Sequence, residues 1–295
     1  MMETVLYSLT SVLLRSGNSV FDRLSYGLRR QSILVLNFAN NFVPFLLLAA
    51  LLPLLPLENK TGWTMYANPK LALFAASVQG VAFAFSYGFR HLTVARVNIV
   101  SRVGDVLIPL VLMLAGRTVH WTEYLFALAV SGCSLLAAGG MTESKKTLWL
   151  PAFFITAAVI VQSLCGELFF QGKSSDVATN LEVSTALMFW RSAVCLVLLL
   201  VFGSKGLMTS QMGELVEDRR ARLNLMVRGL FTMGNQVAFV MALATGNRVV
   251  AWPILNSVTL FSLVFANAFI QEAPARREVF AVVAIVSLAV LKATL

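Results

Sequence analysis

The sequence predicts an all-α integral membrane fold of ten transmembrane helices, arranged as two inverted five-helix repeats. Composition supplies the membrane class. Of 295 residues, 58% are hydrophobic and only 13% charged, where soluble domains carry about a quarter charged residues, and the mean hydropathy is +0.79. Apolar runs of about 20 residues, the length that crosses a bilayer, recur along the chain, separated by short breaks of Gly, Pro and charge. Weak self-similarity between the two halves supplies the repeat.

Spans are expected near 3–22, 31–52, 69–89, 92–115 and 122–140 in the first half, and near 148–171, 182–203, 224–245, 249–270 and 277–294 in the second. The first span is the most polar, because Arg15, Asn18 and several Ser and Thr dilute it. The longest polar stretch, 203–224, joins spans seven and eight. TESKK at 142–146 is the natural joint, so residues 1–141 form one repeat, 142–147 a linker and 148–295 the other. An offset of 155 pairs Val94 with Val249, Ile99 with Ile254, Val103 with Val258 and Glu123 with Glu278, and an offset of 156 lays GVAF at 80–83 over QVAF at 236–239. Five is an odd number, so two such repeats insert with opposite orientation, the plan of many secondary transporters.

The net charge of +9 sits in the polar breaks, as in loops facing anionic lipid, and nucleic acid is not an expected partner. Cys133, Cys165 and Cys195 fall inside apolar runs without metal-ligand spacing and read as small hydrophobes. Met1 to Tyr7 lacks the basic region of a cleavable signal peptide. His91 and His120 lie in turns, and no phosphate-cradling Gly loop or His-paired nucleophile is present, so an enzyme is not expected and no cofactor or metal is called for.

Charges inside the spans are the informative residues, since each costs about 2.5–3.5 kcal/mol to insert at a helix centre. On span four Asn98, Ser101, Arg102, Asp105 and Pro109 recur every three or four residues and share a face. Arg102 and Asp105 either pair with each other to lock the bundle or face a water-filled cavity. Arg15, Glu167 and Arg191 lie well inside spans one, six and seven. Arg96 sits nearer a span end, where its side chain reaches for the headgroups, and Arg228 lies just inside the start of span eight; Arg15 and Arg228 either reach the headgroups too or add to the buried positive charge. The deep groups leave a positive surplus, and every base among them is Arg, whose planar fork suits a carboxylate or phosphate. Gln79, Asn235, Gln236 and Asn256 are polar lining or interhelical glue. Phe83, Phe85, Tyr87, Phe189, Trp190 and Trp252 serve either packing or stacking on a flat solute.

The chain resembles the EamA-type ten-helix carriers of the drug/metabolite transporter superfamily. The likeness rests on two five-helix halves, the SGN of 16–18 in a small-residue first helix, LLAAGG at 135–140 closing helix five, and IQEAPARRE at 270–278 with its acidic start to helix ten. The first half departs from the pattern, with AGRTVHWTE at 115–123 placing Arg117 where an acid is common. The resemblance implies a carrier in a bacterial inner (cell) membrane. The expected function is a secondary transporter moving a small zwitterionic or anionic metabolite, such as an amino acid or organic phosphate, by alternating access. Arg102 and Arg191 would hold the negative group, Asp105 and Glu167 an amine or a coupling proton, and Asn98, Asn235, Gln236, Asn256 and Arg15 the rest. The alternative is an exporter of cationic or amphipathic compounds. Expected partners are the solute, the lipid bilayer, a coupling proton and a second copy in a homodimer.

Orientation is contradictory in the sequence. Odd-numbered loops hold Arg23, Arg29, Arg30, Arg90, Lys145, Lys146, Lys205, Arg219, Arg220, Arg222, Arg276 and Arg277; even loops and termini hold Lys60, Lys70, Arg117, Lys173, Arg248 and Lys292. The positive-inside rule puts the odd loops in the cytosol and the termini outside, whereas the resemblance implies cytosolic termini.

Overall fold

A computed structural model describes residues 2–29, 31–54, 63–101, 145–170, 177–203, 217–244 and 258–294, with scattered positions between 107 and 133, Gly213, and 254–255. Every regular element among the described residues is helical. The first span is Met2–Asp22, prolonged by a π-helical turn Arg23–Leu28. Spans two and three are Ile33–Leu51 and Pro69–His91. Span four is helical over 94–101. Helices Lys145–Phe170, Val177–Phe202, Arg219–Ala244, Val258–Ile270 and Arg276–Thr294 occupy the positions expected for spans six to ten and keep those numbers below. Span six thus begins at Lys145, inside the stretch expected as linker.

Local chemistry sets the boundaries. Ser32 caps span two by accepting from the Val35 amide, and Asn68 caps span three by accepting from the Lys70 and Leu71 amides, with Pro69 at the first helical position. Three helices, Ile33–Leu51, Pro69–His91 and Leu181–Phe202, are each long and apolar enough to cross a bilayer, and Trp149–Gln162 and Val258–Ile270 are shorter apolar helices.

Burial is inside out. Span one buries Thr4, Ser8, Ser11 and Ser16 and exposes Leu6, Leu9 and Leu13; span seven exposes Leu196, Val197, Leu200 and Val201 while burying Ser184, Thr185 and Ser192. In water this pattern would be costly. In lipid it is what the solvent demands, because small polar residues let helices approach closely and hydrocarbon tails cover the Leu and Val.

Packing joins the two halves rather than segregating them. Span one packs most extensively on span eight, span three on span six, and span two on span seven; spans three and seven, two and eight, and one and nine are also neighbours. The seam of spans one and eight carries a ladder: Ser11 Oγ donates to Asn235 Oδ1 (2.8 Å), Asn18 Nδ2 donates to Thr232 Oγ1 (3.2 Å), and Arg228 pairs with Asp22 (2.6 Å). Glycine closes that seam, since a Cβ on Gly17 would lie 2.5 Å from the Phe231 ring.

Odd-loop ends meet at one face. Arg23 Nε donates to Glu272 Oε1 (2.6 Å), Arg23 Nη1 to the Phe89 carbonyl (2.7 Å), and the Val94 amide to Glu272 Oε2 (3.1 Å). The Arg90 guanidinium donates to the Gln31 carbonyl. Arg96, expected to reach for the headgroups, instead pairs with Glu278 (3.1 Å). Arg228 likewise turns inward to Asp22. In each case a carboxylate distant in sequence offers a stronger partner than the interface.

Two stability outcomes follow from the seam. Gly17→Leu should lower thermal stability in detergent by about 1–3 kcal/mol through overpacking against Phe231, while Gly80→Ala, whose added methyl meets open space, should stay within about 0.5 kcal/mol of wild type. Arg228→Met strands the Asp22 carboxylate and should cost about 3–5 kcal/mol, with Asp22→Asn/Arg228→Met recovering most of the loss. Thermal unfolding of the four purified variants reads both.

Candidate functional site

A cavity of about 340 Å³ lies between the halves. Span one contributes Arg15, Asn18 and Asp22; span two Asn37, Asn40 and Asn41; span three Phe85, Ser86 and Phe89; span four Asn98 and Ser101; span seven Arg191; span eight Arg228, Thr232 and Asn235. Apolar clusters flank this polar layer. One is built on Tyr26, Val35, Phe89, Leu92 and Val97 near the odd-loop face, the other on Met65, Leu71, Ala75, Val183 and Leu187 near the opposite end.

Arg191 is fixed by a relay. Its Nε donates to Gln79 Oε1 (3.1 Å), which also accepts from Asn41 Nδ2 (2.9 Å). Gln79 Nε2 donates to Asn37 Oδ1 (3.1 Å), Asn37 Nδ2 to Ser86 Oγ (2.9 Å), and Ser86 Oγ to the Ala82 carbonyl (2.7 Å). Gln79 is fully buried, so the relay is structural at that point and orients the guanidinium. Among the described residues no carboxylate lies within ion-pair distance of Arg191.

Of the residues singled out in the sequence, Arg15, Asn98, Arg191 and Asn235 line this one cavity. Arg15 stands at an exposed position of span one. Gln236 is half-buried and is not among the lining residues. Arg102, Asp105, Asn256 and the side chain of Glu167 lie outside the described residues. Of the aromatic candidates Phe85 faces the cavity, Phe83 and Tyr87 line an outer groove between spans three and six, and the Trp190 indole donates to the Tyr66 carbonyl (3.0 Å).

The sequence reading missed Asn37, Asn40 and Asn41 and the role of Asp22. A signal for the first three exists: they stand at i, i+3 and i+4 in an otherwise apolar run, one face of a helix. Asp22 was hidden by its position at a span end, where a charge passes as a loop residue.

Chemically, the site offers the fixed Arg191 guanidinium, a second guanidinium from Arg15, amide and hydroxyl groups, and the Asp22–Arg228 ion pair. Groups of this kind can bind and orient a polar solute. No cluster of metal-ligating side chains occurs among the described residues.

Comparison with known proteins agrees with this description. Residues 172–292 match the EamA-like transporter family. No curated protein matches the chain. Among solved structures 22 chains match; one crystal structure, 15% identical, aligns at a TM-score of 0.59 over 99% of this chain and 97% of its own. That likeness shows a shared fold along the whole length. Inside-out burial and apolar helices of spanning length mark the chain as an integral membrane protein, and residues 172–292, most of its second half, are similar to the EamA-like transporter family of the drug/metabolite transporter superfamily.

Proposed function

We propose that the protein is a secondary carrier of a small zwitterionic or anionic metabolite, working by alternating access through the cavity between its halves. The observation that carries the reading is Arg191. It lies on the cavity wall, held by Gln79, with no carboxylate partner among the described residues. A cation kept so in a hydrocarbon layer is stabilised by an anion from outside the protein. Its planar fork favours a carboxylate or phosphate. Arg102 would assist it, Asn98 and Asn235 would orient the solute, and Asp105 or Glu167 would carry a coupling proton.

The two-repeat architecture, 1–141 and 148–295, is part of this proposal. Exchanging each span for the one five places on converts the one–eight contact into six–three and the two–eight contact into seven–three, and leaves two–seven unchanged. All of these contacts occur. Such exchange symmetry supports inverted repeats, whose rocking alternates access around a central site. A bacterial cell membrane is the proposed setting.

A thermal-stability screen of the purified protein against amino acids, organic phosphates, nucleotides and organic cations tests the sign of the site, since a ligand that binds only the folded state stabilises it. Stabilisation by an acid-bearing solute is expected, with affinity reduced about tenfold or more in Arg191→Gln, as befits a lost charge-assisted hydrogen bond. Stabilisation by organic cations alone, lost in Glu167→Ala, would favour the exporter of cationic compounds instead.

A further inference from the structure

The cavity is closed toward the odd-loop face. A crevice of about 10 Å³, lined by Ser25, Arg29, Gln31 and Asn224, meets the large cavity at Asn40 and Arg228, which line both. Such a volume holds about one water molecule, so this route does not pass a metabolite. Two layers make the closure. The inner one is apolar: Phe89 lines the cavity and belongs, with Tyr26, Leu92 and Val97, to one buried cluster. Asn40 Nδ2 donates to the Tyr26 hydroxyl (3.2 Å), which ties this seal to the cavity wall.

The outer layer is a latch centred on Arg23. Its Nη1 donates to the Phe89 carbonyl and its Nε to Glu272 Oε1, while Glu272 Oε2 accepts from the Val94 amide. One guanidinium thereby joins the ends of spans one and three, the start of span four and the turn between spans nine and ten. Two backbone features seat it. Gly27 lies under the contact: a Cβ there would stand 2.5 Å from the Phe89 carbonyl oxygen and would strike the Arg23 guanidinium. Gln271, immediately before Glu272, has φ 56°, a left-handed conformation that a residue with a Cβ adopts at a cost. Arg23 and Gly27 both belong to the π-helical turn Arg23–Leu28, a form that occurs mostly as single turns and often at functional sites. Water reaches the latch from outside. A pocket of about 110 Å³, lined by Thr93, Arg96, Glu272, Pro274 and Glu278, lies beside it, and the side chains of Arg23 and Glu272 each keep 15% exposure.

We propose that Arg23, Gly27 and Glu272 form the latch of a gate on the odd-loop side, with Phe89 and Tyr26 as its seal. Releasing Arg23 from Glu272 and from the Phe89 carbonyl frees the ends of spans one and three to part, and the cavity opens to the odd-loop face. The proposal rests on the reading of the cavity as the solute pathway. Bonds within reach of water exchange for bonds to water with little net loss, so water and the strained Gln271 backbone favour release. Burial of the seal favours closure. Opposing contributions of this kind let a bound solute shift the balance between the two states.

The test is thiol labelling of the full-length protein in sealed vesicles, with Cys133, Cys165 and Cys195 replaced. Ser101→Cys, whose side chain lines the cavity, is the reporter, a membrane-impermeant maleimide added to one face at a time is the probe, and Arg277→Cys, at an exposed position, marks the odd-loop face. In Glu272→Gln, labelling of the reporter from the odd-loop face should rise about tenfold, the scale of a lost charge-assisted bond, while labelling from the opposite face falls. Gly27→Ala, which unseats the latch without removing a charge, should move both rates in the same directions. Either variant decides the outcome if the other fails to insert. A reporter labelled at the parent's rates in the variants would overturn the gate and leave the pathway reading intact. An equal rise from both faces would mean a loosened bundle and would also overturn the gate. No labelling from either face, in parent and variants alike, would overturn the gate and the pathway together.

Discussion

A guanidinium in the middle of a hydrocarbon layer must be compensated by the protein that carries it, and much of this structure is organised around that requirement at Arg191. Gln79 Oε1 accepts from Arg191 and Asn41 at once; the relay then runs through Asn37 and Ser86 to a backbone carbonyl. Each link satisfies one polar group by engaging another, so the chain of bonds ties spans two, three and seven together over about two helical turns. Low dielectric strengthens every bond in such a network and makes any unsatisfied member costly. The relay orients Arg191 with neutral partners, and no carboxylate among the described residues lies within ion-pair distance of it.

The same constraint explains the way the halves interlock. Small polar side chains of span one turn inward: Ser11, Asn18 and Asp22 meet Asn235, Thr232 and Arg228 of span eight, and Ser16 donates to the Val258 carbonyl of span nine. Glycines at 17, 229 and 234 permit the close approach that these short side chains need, because a Cβ at any of them would lie within 3 Å of a neighbouring side chain. The ion pairs at the odd-loop face, Arg23 with Glu272 and Arg96 with Glu278, join helix ends that lie far apart in sequence. A carrier that alternates access has to exchange contacts of this kind, and charge-assisted bonds near an aqueous face are the ones water can replace at least cost.

Much of this architecture was legible in the sequence, for a physical reason. Spans appear as apolar runs bounded by Gly, Pro and charge, because the bilayer imposes both length and composition; Ile33–Leu51 and Pro69–His91 fall within two residues of the expected limits. Arg191, Asn98 and Asn235 stood out because a polar group inside a span needs a reason. Pairing did not stand out. Asp22 and Arg228 are 206 residues apart, and Arg96 and Glu278 are 182 apart. Periodicity locates the face a residue occupies but says nothing about which distant helix that face meets. Local pattern therefore sends Arg96 to the headgroups and leaves Arg228 between the headgroups and an unassigned buried charge. The asparagines of span two were overlooked because the run around them is so apolar that it reads as packing throughout.

The central claim is that the polar layer is a solute pathway reached in turn from both sides of the membrane. Thr232 and Ala82 line the cavity without belonging to the Arg191 relay through their side chains. Single cysteines at these positions, in a background with Cys133, Cys165 and Cys195 replaced, can be challenged in sealed vesicles with membrane-impermeant thiol reagents added to one face and then the other. Alternating access predicts labelling from both faces at both positions, with protection by a bound solute. Labelling from one face only, or none, would contradict a transport pathway through this cavity and leave it a static polar core.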